Sequence, residues 1–140
     1  MKCIFLSYTM LTILLSFSIT SAMADSKEHL VVVEITSGDQ KQLGRAMNNI
    51  ESLQKSLGDK TKIEVVALGE GLKFLIKANN PLADRMKIAS THNVNFVACE
   101  NTMKGQNVVK SQLLDFSNTT DSGVAEVVRR EEEHWSYLHN

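Results

Sequence analysis

One thiol dominates the chemistry this chain offers. Cys99 ends the run Val94-Asn95-Phe96-Val97-Ala98 and is followed by Glu100, Asn101 and Thr102. A thiolate is a good nucleophile and sulfur acceptor, and it forms most readily where helix-terminal amides point at the sulfur. A short helix starting at Asn101 or Thr102 supplies such amides. The carboxylate of Glu100 opposes them by like-charge repulsion. A free cysteine is also at home as a small, inert, buried hydrophobe, and the residues alone leave both readings open.

Other reactive constellations are weak. The four histidines, His29, His92, His134 and His139, form no pair at metal-ligand spacing, so no metal site is expected. No G-x-S-x-G elbow occurs. Gly69-Glu70-Gly71 before a helix hints at phosphate, but the full dinucleotide or P-loop spacing is missing, and no cofactor is expected. The run Arg129-Arg130-Glu131-Glu132-Glu133 fits a solvated helix face with local ion pairs. With 15 basic and 16 acidic residues, there is no basic field to draw nucleic acid.

The elements that must position Cys99 follow from periodicity. The β-branched run Leu30–Thr36 predicts a strand covered on both faces. Asp39 is placed to cap a helix whose apolar stripe is Leu43, Ala46, Met47, Ile50, Leu53 and Leu57, with Gly58 at its end. Lys62–Leu68 is the second strand, and Gly69-Glu70-Gly71 opens a short helix. Asn80 and Pro81 start another helix running to about Ser90. Val94–Ala98 is the third strand. A weak fourth lies within Leu114–Thr119, and Ser122 caps a last helix with Val124, Val127, Val128, Trp135 and Leu138 inward. Alternation of this kind predicts an α/β fold, a small doubly wound parallel sheet of about four strands with helices on both faces. Ligands of such sheets bind beyond the carboxyl ends of strands where strand order reverses. With strand one between strands two and three, that point gathers Ser37 and Asp39 with Cys99, Asn101 and Thr102.

The first residues belong to a different class. Lys2 precedes an uncharged, mostly apolar stretch, and Ala22-Met23-Ala24 has the form of a cleavage site before Asp25-Ser26-Lys27-Glu28. Residues 1–24 are therefore expected to be a signal peptide and residues 25–140 the domain, periplasmic or secreted and free of the membrane once cleaved. An uncleaved anchor is the alternative, since the stretch is long enough to span a bilayer. Of two cysteines, only Cys99 remains after cleavage, and a lone thiol in an oxidising compartment must be buried, capped, paired between chains, or used.

Several fragments, in this order and spacing, carry a resemblance: Val33-Glu34-Ile35-Thr36-Ser37-Gly38-Asp39, Gly44-Arg45-Ala46-Met47-Asn48-Asn49-Ile50, Gly71-Leu72-Lys73, Asn80-Pro81-Leu82-Ala83, Phe96-Val97-Ala98-Cys99, Asn101-Thr102-Met103 and Ser122-Gly123-Val124-Ala125-Glu126. Together they resemble the DsrE/DsrF-like family, and within it the exported single-domain members. The resemblance implies a parallel α/β fold and homo-oligomers, trimers or hexamers. It also implies a sulfur relay in which a cysteine, here Cys99, carries sulfur as a persulfide between a donor and an acceptor protein. Glu100 stands where similar sequences often have a small residue. Two functions follow: a thiol or persulfide carrier, or redox-responsive protein, with Ser37, Asp39, Asn101 and Thr102 supporting Cys99; or a non-catalytic oligomeric binding or assembly module whose cysteine is inert.

Overall fold

Runs of β-branched residues set up the sheet. The structure, a computed structural model, describes residues 27–140. The expected signal peptide lies outside those residues. Strands β1 (Leu30–Ile35), β2 (Lys62–Ala67), β3 (Val94–Cys99), β4 (Asn118–Thr120) and β5 (Ser136–His139) form one parallel sheet in the order β4-β3-β2-β1-β5. The α/β class and the parallel sheet with helices on both faces agree with the sequence reading, with five strands instead of about four.

Strand order departs from expectation. β2, not β1, lies between β1 and β3, because each of the first four strands is laid beside its predecessor. The order reverses only when the chain crosses from β4 to β5, on the far side of β1. The crevice expected between the ends of strands one and three is therefore filled by β2 and the residues that follow it.

Alternation along the strands divides the core. Val31, Val33, Ile35, Ile63, Val65, Ala67, Val94, Phe96 and Ala98 face one side. They pack against helix α1 (Gln40–Leu57), the 3-10 turn Gly69–Leu75, helix α2 (Ala83–Ser90) and Met103 of helix α3 (Glu100–Gly105). Phe74, Phe96 and Phe116 stack edge to face in that layer, with centroids 6.1 and 5.8 Å apart. Asp39 caps α1 by accepting from the Gln42 N–H at 3.0 Å, and Gly58 ends it at φ 87°. Asn80 does not cap a helix at Pro81. Its side chain donates to the Phe74 and Ile76 carbonyls and accepts from the Leu82 N–H, so it ties the 3-10 turn to α2, which starts at Ala83.

The other side of the sheet is covered by helix α4 (Gly123–Glu132). Its inner face is not the valine stripe expected. Val124 and Val128 are 58% and 53% exposed, whereas Val127 packs on Val32 and Val66. Gly123, Val127 and Arg130, spaced by four and three residues, meet the sheet instead. The helix stops at Glu132 because His134 adopts φ 65°, and Trp135 and Leu138 leave it for β5.

Candidate functional site

Cys99 is both the last residue of β3 and the N-cap of α3, so its sulfur sits where a strand hands over to a helix. The backbone N–H of Gly123 donates to Cys99 Sγ at 3.1 Å. Cys99 makes no side-chain cap bond to α3, but the Thr102 hydroxyl and the N–H groups of Asn101 and Thr102 in its first turn favour the charged form of the sulfur. The Thr102 oxygen in turn accepts the Gly69 N–H at 3.0 Å, and the Gln106 amide donates to the Gly69 carbonyl at 2.9 Å. The loop after β2 is thereby fastened to the first turn of α3. Burial pushes the thiol pKa up, but the hydrogen bonds from Thr102, Gly123 and Asn101 outweigh it, so the thiol titrates below its ordinary 9.0. Glu100 turns to the Thr119 hydroxyl at 2.8 Å, and the repulsion expected from it does not prevail.

Cys99 is 5% exposed, not open at a crevice. A Cβ at Gly123 would lie 3.0 Å from Cys99 Cβ, 3.2 Å from Leu68 Cβ and 3.3 Å from Val66 Cγ1. Only glycine lets α4 come this close to the sulfur.

Asn101 and Thr102 therefore lie beside Cys99, in the first turn of the helix it caps. Ser37 and Asp39 do not. They follow β1, two strands from β3, roughly 10 Å away across the sheet. Ser37 accepts from the Asp39 N–H at 3.2 Å, and Asp39 is occupied in capping α1. The cause is the strand order: β2 separates the two groups.

Two contributions escaped the sequence reading. Gly123 is one, although a glycine just after a capping serine is a signal of close approach. Glu64 is the other. In β2 its side chain is 3% exposed and is gripped by the Arg130 guanidinium at 2.8 and 2.9 Å, with Asn95 donating at 2.9 Å. Arg130 lies 5.0 Å over the Trp135 ring and its pKa is raised, first by the Glu64 fork. This pair pins the far half of α4 to the sheet and so fixes where Gly123 can stand. A shallow groove of about 460 Å³ beside it is lined by Lys62, Ser90, Asn118 and Trp135. Among the described residues no group of His, Cys, Asp and Glu is placed to hold a metal ion, and no helix is long and apolar enough to cross a membrane.

The sequence profile of the DsrE/DsrF-like family matches residues 28–139. No curated protein matches the chain. Among solved structures, a protein of unknown function, MTH1491 from Methanobacterium thermoautotrophicum, is similar at 28% identity and TM-score 0.75 over 80% of this chain and 99% of that one. The ychN protein from E. coli shares the fold at 12% identity and TM-score 0.63, with the same coverage of both chains.

Proposed function

The chain belongs to the DsrE/DsrF-like family, and from that premise we propose that it is an exported sulfur carrier acting through Cys99. The observation that carries the reading is the Gly123 N–H donated to Cys99 Sγ at 3.1 Å, with Cys99 itself at the N-cap of α3, which favours the thiolate despite burial. In the proposed step, the Cys99 thiolate attacks the terminal sulfur of a donor persulfide, R–S–SH. A new sulfur–sulfur bond forms to Cys99, the donor's sulfur–sulfur bond breaks, and R–S⁻ leaves. The product is a Cys99 persulfide, ready for an acceptor thiolate to collect by the same exchange. No net oxidation occurs and no cofactor takes part. Asn101 and Thr102 orient the sulfur. Ser37 and Asp39 shape the neighbouring loop and stand outside the reacting group.

Export to the periplasm or beyond, with residues 1–24 removed, belongs to the same proposal. So does assembly as a homo-oligomer, a trimer or hexamer, serving a donor and an acceptor protein. The 5% exposure of Cys99 favours a second reading, an assembly module with an inert cysteine. Intact mass after incubation with a persulfide donor separates them. The carrier gains one sulfur that Cys99→Ser does not, with the assembly unchanged in both. A wild-type protein that never gains sulfur leaves the assembly module.

A further inference from the structure

A sulfur-accepting thiol must be reached by its donor, yet Cys99 Sγ is covered, so some wall must move. Cys99 Sγ lies against Gly123, whose other neighbours Val66 and Leu68 belong to β2 and the residue after it, inside the sheet, and α3 continues directly from β3. The remaining wall is the N-terminal end of α4. We propose that Asp121–Gly123 together with the first turn of α4 is a gate over Cys99, latched from outside by Arg129. The inference rests on the reading of Cys99 as a sulfur acceptor.

The observations separate a fixed end of α4 from a loosely held one. At the fixed end, Val127 is buried on Val32 and Val66, and Arg130 grips the buried Glu64. At the other end, the only buried residue of the first turn is Gly123, which has no side chain to anchor, while Val124 points outward. Ser122 stands at the cap position without a side-chain bond to the helix. Lifting this turn therefore strips almost no apolar side chain from the core.

What holds the turn down is a cluster about Arg129, together with a contact of Glu126 to Arg130 at 3.0 Å. Its Nη2 lies 2.7 Å from Asp121 Oδ1, 3.0 Å from Thr120 Oγ1 and 2.8 Å from Glu126 Oε2. The Thr120 hydroxyl reaches both carboxylates, at 3.2 and 3.1 Å. The guanidinium thus ties the residues before Gly123 to the helix after it. Arg129 and Asp121 are 44% and 75% exposed. The Arg129–Asp121 pair is wet enough to be weak and sensitive to salt, which suits a latch that must open without unfolding the sheet, whereas Glu126 is only 13% exposed. Opening withdraws the Gly123 N–H from Sγ and leaves the sulfur at the N-cap of α3.

The test is the rate at which iodoacetamide labels Cys99, read on the Cys99 peptide by mass spectrometry at the plateau of the pH profile. Arg129→Gln should label about two- to fivefold faster than wild type, the weight expected of exposed pairs. Wild-type labelling should quicken with salt and stay flat in urea below the unfolding transition, since a local opening exposes little surface. The gate is overturned by an unchanged rate in Arg129→Gln. If that variant does not fold, a wild-type rate that rises with urea as steeply as global unfolding overturns it instead. Sulfur gain is scored separately. Equal labelling in both proteins with sulfur gained by both refutes the gate and keeps the carrier. Faster labelling of Arg129→Gln with no sulfur gained by either keeps the gate and refutes the carrier.

Discussion

Gly123 and Cys99, 24 residues apart, are joined by an N–H···Sγ bond of 3.1 Å at which helix backbone touches strand side chain. Gly123→Ala puts a methyl group 3.0 Å from Cys99 Cβ. The helix must back away or the sheet must yield. We expect a loss of about 1–3 kcal/mol, read from urea denaturation, together with a rise in the thiol pKa as the N–H is drawn off. A fully stable variant with an unaltered titration contradicts the close approach.

The pH dependence of alkylation follows from the same bonds. The rate should reach half its plateau below 9.0, because hydrogen bonding lowers the folded thiol pKa. The sign for stability is then set. A group depressed on folding stabilises the native state above its unfolded pKa, and that contribution fades as pH falls through the folded value. Stability of the wild type, minus that of Cys99→Ala, should therefore climb with pH between those two values. A half-point at or above 9.0 rules this out.

Thr102 serves two neighbours: its hydroxyl helps lower the Cys99 thiol pKa and accepts from the Gly69 N–H. Thr102→Val keeps the shape and removes both. It should raise the thiol pKa and cost about 1 kcal/mol or somewhat more, since the Gly69 N–H loses its acceptor. Thr102→Ser should restore both readouts. Failure of the serine variant to do so would assign the effect to packing.

Glu64→Leu leaves Arg130 with Glu126 and Glu133 as its partners and takes the acceptor from the Asn95 amide. A loss of about 1–3 kcal/mol is expected in urea denaturation, since a buried donor is left unmatched. Adding Arg130→Met should recover part of it, because two apolar groups then fill the space. If Glu64→Leu alone is harmless, the pair does not hold α4 in place.

Much of this was legible in the chain itself. The runs about Val33, Val65 and Phe96 gave strands because β-branched and aromatic residues suit a sheet buried on both faces, and the α1 stripe from Leu43 to Leu57 repeats at helical period. Asp39 and Gly58 marked its ends by local chemistry. The lateral order of strands was not legible, since periodicity is blind to which strands become neighbours, and so Ser37 was assigned to a sulfur two strands away. β5 was hidden because His134, rather than glycine or asparagine, takes the left-handed turn that ends α4. Nothing local to β2 marks Glu64 as a residue with a partner. Its partner, Arg130, lies 66 residues on, and only the fold brings them together.

The two outermost strands, Asn118–Thr120 and Ser136–His139, are short and carry polar or half-exposed side chains. Between them lie the long, hydrophobic β1, β2 and β3. A sheet built this way terminates its own growth, since its rims offer few free amides to a stray chain. Deleting the last five residues would bare the flank of Val31–Glu34 now satisfied by β5, and the shortened chain should pass from discrete particles to fibrous aggregates.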